Sequence, residues 1–313
     1  MQCFFRFDGL SIMQGIIMCS ILLFITAIVV ISCTESNDLR SNQIDKQSHF
    51  EFLSTVEFPE ELSFCGEKVP LDDPEVRERA EREFYMLLQQ PGQIILYLKR
   101  SGRFFPIFEK IISENDMPDD LKYLSVAESA LYQAKSSVGA IGLWQFMTAT
   151  AKIMGLQVDD NVDERRHPEK STRAAMKYLK EGYQNHKSWI LTAAGYNMGH
   201  TGVQDNLSFQ STDNYFDLHL NEETSRFIFR IAIIKHFMQN AEKYGFKLEK
   251  SDLYPPDEFD IVKVERSVPD LSAWAKSMGY NYKQVKMLNP WILKRSLPNP
   301  PKGKVFEVAV PKK

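Results

Sequence analysis

The chain is short of cysteine: it has four in 313 residues, and three of them, Cys3, Cys19 and Cys33, fall within the first 33 positions. Only Cys65 belongs to the body, so an internal disulfide framework is excluded, and that thiol reads as structural or incidental rather than as a nucleophile. Net charge is also scarce. The 38 basic and 41 acidic residues leave −3, and the basic ones are dispersed apart from the short DERRHPEK run, so no nucleic-acid partner is expected. The six histidines show neither an HExxH pattern nor any other paired-ligand spacing, and no glycine-rich motif would cradle a phosphate. The expectation is therefore no metal and no cofactor. Between residues 76 and 246 no alternating apolar and polar pattern marks a strand.

What is present starts at the amino terminus. No charged side chain lies between Asp8 and Glu35, and residues 16–31 are almost wholly apolar. Such a run reads as an export or anchoring segment. It ends at Val30-Ile31-Ser32-Cys33, which resembles the lipobox of bacterial lipoproteins, where cleavage before the cysteine frees it for acylation. The expected partition is a lipoprotein signal segment over 1–33, with lipidation at Cys33 and attachment to a membrane facing the periplasm. A polar tether follows over 34–75, then a helical domain over 76–246, a linker over 247–257 and a small module over 258–313.

The helical domain is legible from punctuation and period. Helices are expected in DPEVRERAEREFYMLLQQPG, FFPIFEKIISEND, PDDLKYLSVAESALYQ, TATAKIMG, PEKSTRAAMKYLKEGYQNH, SWILTAAGYNMG and NEETSRFIFRIAIIKHFMQNAEKYG. Pro74 and Pro168 sit just inside starts, Asn221 caps another, and Gly155 and Gly245 mark ends. After the KLEKSDLYPPDEFD break, DIVKV, DLSAWAKSMG, NYKQVKMLN and KVFEVAVP give a βααβ order.

One residue breaks the binary pattern. At 100° per residue, Leu124, Glu128, Leu131 and Tyr132 share a stripe on the apolar side, so a carboxyl group points at the core. A buried carboxylate finds a cation, sits at the floor of a cleft, or stays protonated with a raised pKa. The segment that follows, SSVGAIGLWQFM, has two glycines three apart that let backbone pass close to a ligand. It then offers flat apolar surface and an amide in Trp144, Gln145, Phe146 and Met147.

Glu128-Ser129, the run from Ser136 to Met147, and Ala194-Gly195-Tyr196-Asn197-Met198-Gly199 together resemble the soluble lytic transglycosylase domain. The Trp-Gln-Phe form, DERRHPEKSTRAAMKYL and EETSRF most resemble the membrane-bound lytic murein transglycosylase D subgroup. The resemblance implies a mainly α, lysozyme-like catalytic domain. It also implies cleavage of the β-1,4 bond between N-acetylmuramic acid and N-acetylglucosamine in peptidoglycan, leaving a 1,6-anhydromuramic end. Glu128 matches the catalytic acid/base. Ser129, Ser136, Gly142, Leu143, Trp144, Gln145, Phe146, Met147, Tyr196 and Asn197 match substrate-facing positions, and so does Glu223, for which helix capping is the alternative. The catalytic motif offers no second acidic residue, so Glu128 serves as acid and then as base. Residues 258–311 resemble a LysM-like module that departs from the usual Gly-Asp, reading Ser267-Val268-Pro269-Asp270, so that docking stands beside glycan binding as its role. A goose-type-lysozyme-like hydrolase and a non-catalytic peptidoglycan-binding lipoprotein are the competing readings of the whole chain.

Overall fold

A computed structural model describes residues 55–312; the apolar run 16–31 and Cys33 lie outside the described residues. The chain from Phe58 onward forms one unit. A two-residue hairpin, β1 (Ser63–Phe64) with β2 (Glu67–Lys68), precedes eight helices: α1 Pro74–Leu88, α2 Pro91–Glu114, α3 Lys122–Ser129, α4 Thr148–Ile153, α5 Pro168–His186, α6 Trp189–Met198, α7 His200–Gln210 and α8 Glu222–Gln239. The βααβ tail follows as β3 Phe259–Val264, α9 Leu271–Ser277, α10 Tyr282–Leu288 and β4 Phe306–Pro311.

Helix α8 organises the body because its middle buries apolar side chains on most of its circumference, leaving Arg226, Arg230 and Lys235 to pair with Glu83 and Asp120. Phe227, Ile228, Phe229, Ile231, Ala232, Ile233, Ile234 and Phe237 are all buried, as expected of a central rather than a surface helix. Each large side chain among them contributes roughly 1.5–3 kcal/mol by leaving water. Helices α1, α2, α3 and α6 pack around it. Its start is fixed by Asn221, whose side-chain oxygen accepts from the Thr224 amide at 3.0 Å.

Residues 58–75, expected in the tether, instead pack on this body. Leu62, Phe64, Val69 and Leu71 are buried, and the Phe58 ring meets Phe84 edge-on at 5.4 Å. Lys235 of α8 donates to Asp120 (2.6 Å) and to the Ser63 carbonyl (3.2 Å), pinning the hairpin. Glu67 then reaches α6, accepting from the Ser188 hydroxyl (2.6 Å) and from the Trp189 amide, a cap supplied from 122 residues away. Cys65 is held in this turn, and burial, reinforced by Asp120, pushes its thiol pKa up. That fits an inert cysteine.

Two other departures have clear causes. Pro91, which closes a helix in the sequence reading, starts α2 instead, because proline suits the first helical position, where an N–H would go unused. The helix then runs through Pro106, one turn after Gly102, where a Cβ would meet Leu253 and Tyr254. Helix α7 has no counterpart in the sequence reading; only Val203 and Leu207 of its eleven residues are buried, too few to mark a face.

The tail is antiparallel, with Ile261 opposite Ala309 and Val262 opposite Val308. Its core gathers Val264, Leu271, Ala275, Val285, Trp291, Leu297, Phe306 and Val308, with Trp274 packed against the edge. Asn289 is buried and locks α10 to β4. Its amide donates to the Val285 and Ala309 carbonyls, both at 2.7 Å, and its oxygen accepts from the Ala309 amide at 2.9 Å. Asn289→Ala leaves the Ala309 carbonyl and amide without partners, at about 1–3 kcal/mol for each such group, while the Val285 carbonyl keeps the residue 289 backbone amide. Urea unfolding followed by NMR of the tail is expected to show a loss of about 3 kcal/mol; a loss below about 0.5 kcal/mol would contradict this role.

Candidate active site

Helix α3 is short, and its ending creates the site. After Ser129 the chain takes two consecutive left-handed residues, Ala130 and Leu131, both at φ 54°. Such conformations cost of order 1–3 kcal/mol each in residues with a Cβ. They persist here because Leu131 is buried, the Ala130 amide still donates to Val126 (2.8 Å), and Arg100 donates to the Ala130 carbonyl (2.9 Å). The reversal ends the stripe read through Leu131 and Tyr132. Tyr132 is exposed, and the turn 134–147 folds back over the last turn of the helix, where Glu128 sits.

The turn is tied to α3 through one carbonyl. The hydroxyls of Ser125 and Ser129 each donate to the Leu143 oxygen at 2.8 Å. Tyr196 of α6 closes the other side, its hydroxyl donating to the Trp144 oxygen at 2.6 Å. Within the turn, Ile141 and Phe146 exchange backbone hydrogen bonds. The amide of Gln145, a residue at φ 48°, donates to Gly142 (2.8 Å) and Ala134 (3.2 Å), and Ser136 accepts from the Ala140 amide (3.0 Å).

These elements enclose a cleft of about 470 Å³ whose lining includes Glu128, Gln145, Met147, Tyr178, Tyr196 and Glu223. Ser136, Phe146 and Asn197 line it as well. Rings of Phe146, Tyr178 and Tyr196 contact one another at 5.5–6.5 Å. Glu128 is half-buried, with its carboxyl enclosed by protein. Burial, assisted by the nearby charge of Glu223 and opposed by Arg230, raises its pKa from 4.5 to about 8. Arg230 acts from a distance, because its guanidinium pairs with Glu83 at 3.8 Å. The alternative of an internal ion pair is therefore not the arrangement found. Burial, reinforced by Glu128, pushes the Tyr196 phenol well above 10, so it stays a donor.

Glu223 is not the cap of α8; Asn221 is. Its carboxylate instead accepts from the Asn197 amide at 3.2 Å, while the Asn197 oxygen accepts from the Thr224 hydroxyl at 2.8 Å. A second acidic residue, unseen in the catalytic motif, thus lies in the same cleft as Glu128.

Residues 105–217 match the family model described as the transglycosylase SLT domain, and residues 260–313 match the soluble lytic transglycosylase C-terminal LysM-like domain. The chain carries a transglycosylase SLT domain. A solved structure of an inactive mutant of the lytic transglycosylase Slt from Pseudomonas aeruginosa is similar at 17% identity, over 49% of this chain and 26% of that one, with a TM-score of 0.35. The chain thus spans about a quarter of that protein's length. No curated protein matches the chain.

Four expected contacts of the SLT domain lie behind the cleft wall instead of in it. Leu143 and Trp144 are fully buried, and the indole of Trp144 donates to Thr172 at 2.8 Å and packs on Phe108 at 5.1 Å. Its flat face is therefore core, not sugar wall. Ser129 is buried in its bond to Leu143. Gly142, at φ 90°, makes room for backbone, not for ligand: an added Cβ would overlap the Arg165 carbonyl. Conversely, Tyr178, Val138 and Thr150 line the cleft without having been singled out. Tyr178 falls at the end of the DERRHPEKSTRAAMKYL run, so its helical register relative to Pro168 was the available signal. His200, which packs over Gly182 and Gly195 and meets Tyr178 at 4.6 Å, had no such signal.

A carboxyl whose pKa rises on folding favours the folded state below the unfolded value, and that advantage is lost as pH rises from about 4.5 through about 8. Glu128→Gln removes the penalty. Its stability relative to wild type is expected to be unchanged near pH 4 and greater by on the order of 3 kcal/mol near pH 9, measured by thermal or urea unfolding. A constant difference across that range would contradict the burial of Glu128.

Proposed function

We propose that the protein is a peptidoglycan lytic transglycosylase, cutting the β-1,4 bond between N-acetylmuramic acid and N-acetylglucosamine with formation of a 1,6-anhydromuramic end. The observation that carries the reading is a carboxyl, held protonated near neutral pH by burial, at the wall of a cleft in an SLT domain. Glu128 in its acid form donates its proton to the glycosidic oxygen as the C1–O bond breaks. As carboxylate it then takes the proton from the muramoyl C6 hydroxyl, whose oxygen forms the new bond to C1. The oxocarbenium-like centre between these steps carries positive charge, and Glu223, on the same cleft, supplies a fixed negative field.

Glu223 also favours a second reading. A second carboxylate is what an inverting glycoside hydrolase uses to activate water, which would make the protein the goose-type-lysozyme-like hydrolase. The products decide between them. Membership of the D subgroup rests on Trp144-Gln145-Phe146, DERRHPEKSTRAAMKYL and EETSRF, and lipid anchoring at Cys33 in the cell envelope rests on residues 16–33 alone.

Mass spectrometry of material released from purified sacculi is expected to show anhydromuramoyl ends for the wild type and a loss of roughly 10²–10⁴-fold for Glu128→Gln. Reducing ends would instead assign a hydrolase, and release by Glu128→Gln at the wild-type rate would remove Glu128 from the chemistry. Release is expected to fall as pH rises past about 8, because the acid form is lost. Glu223→Gln removes a charge that raises the Glu128 pKa, so its alkaline limb should move to lower pH; an unmoved limb would separate the two carboxylates.

A further inference from the structure

The segment Gln157–Arg166 joins the cleft to the LysM-like module. It is a small hairpin closed by the Val158 and Asp163 bridge, with the Asp159 carboxylate accepting from the amides of Asn161 (2.8 Å) and Val162 (2.9 Å) at its tip. The tip belongs to the module. Val162 is fully buried within the module's own core, beside Trp291 and Ile292, and the backbone pairs on both sides of it. The Asp163 amide donates to the Trp291 oxygen at 2.9 Å, and the Leu293 amide donates to the Asn161 oxygen at 2.8 Å.

The base of the hairpin belongs to the cleft. Arg165 is buried and meets Asp163 as a two-pronged pair, Nε to Oδ1 and Nη2 to Oδ2, both at 2.8 Å. The remaining edge of the guanidinium faces the catalytic turn. Its Nη1 donates to the Phe146 oxygen (3.1 Å) and the Thr148 hydroxyl (3.0 Å), with the Gly139 oxygen at 3.3 Å. Gly139 precedes, and Phe146 lies near the end of, the stretch that presents Ala140, Gln145, Phe146 and Met147 to the cleft. The Arg165 backbone also fills the space left by the missing Cβ of Gly142, and Gln133 donates to the Arg166 oxygen at 2.9 Å. A planar fork with fixed donor directions sets relative positions in a way that a point charge cannot.

We propose that Arg165 is a positioning residue for glycan cleavage, and that the C-terminal module acts on the cleft through it, by seating the hairpin that carries Asp163 and Arg165. The proposal rests on the transglycosylase reading for its kinetic arm only. The module is then a structural part of the active site, whatever glycan it also meets. A displacement of about 1 Å in a reacting site changes rates by about 10²-fold, so loosening this turn should be visible in catalysis.

The test combines hydrogen–deuterium exchange with release of anhydromuropeptides, on the full chain, for Arg165→Lys, Val162→Ala and Leu88→Ala. Leu88 is buried in α1 and serves as a control for lost stability alone. Arg165→Lys keeps the charge and loses the fork. It is expected to speed exchange in 139–147 by about tenfold or more, leave α8 unchanged, and lower turnover by at least about tenfold. Val162→Ala touches neither the turn nor the substrate, and is expected to move both readouts in the same direction by a smaller factor. Wild-type exchange and turnover in Arg165→Lys would overturn the proposal, and so would equal loosening of the turn in Leu88→Ala. Loosening confined to the module in Val162→Ala would overturn the module's part. If the wild type releases nothing while Arg165→Lys still loosens the turn, the activity reading fails and the clamp stands.

Discussion

The constraint around which this protein is arranged is that one carboxyl group must be kept away from water and yet open to a cleft. Burial alone would bury the glutamate uselessly in the core, and exposure alone would leave it ionised near neutral pH. The solution is a helix stopped one residue after Glu128. Two strained left-handed residues reverse the chain, and the following turn roofs the carboxyl while leaving one side open to the cleft. The balance of charge around it is set from α8, with Glu223 raising its proton affinity and Arg230, held back by Glu83, opposing that effect. The apolar helix that forms the centre of the fold therefore also sets the electrostatics of the site.

Turns are the least reliable carriers of such geometry, and this one is tied at several points. Serines of α3, the phenol of Tyr196, the indole of Trp144 and the guanidinium of Arg165 each fix a different part of it. Those side chains serve a holding function, while the cleft is lined from this turn by Ser136, Val138, Ala140, Gln145, Phe146 and Met147, joined by Tyr178, Tyr196 and Asn197 from α5 and α6. The hairpin at 157–166 extends the support to the C-terminal module, whose buried Asn289 plays the corresponding role of joining helix to sheet.

Much of this was legible in the sequence, and for physical reasons. Pro168 and His186 bound α5 as expected, Asn221 and Gly245 bracket α8 and its extension, and the βααβ order of the tail is the observed one. Glu128 stood out because a carboxyl on an apolar stripe demands an explanation. The misses follow from what periodicity does not encode. A helix's stop at Ala130 depends on long-range contacts that pay for positive φ, so the stripe was read one turn too far. Trp144 and Gly142 were assigned to ligand because residue type alone does not say which side of a turn a side chain takes. Glu223, substrate-facing by the resemblance, does reach the cleft from the start of α8, whereas Arg165 lies in the short charged run DERRHPEK, where residue type does not say which side chain turns inward. Residues 58–75 were placed in a tether because their apolar residues are spaced without a helical or strand period.

The chemistry of the cleft depends on Glu128 being a neutral acid in the free protein at neutral pH. The direct measurement is a carbon-13 NMR titration of glutamate side-chain carboxyls in the folded protein, with Glu128→Gln identifying the resonance. A midpoint near 8 is expected for that signal. A midpoint in the ordinary range of about 4–5 would show a solvated carboxylate and contradict that chemistry.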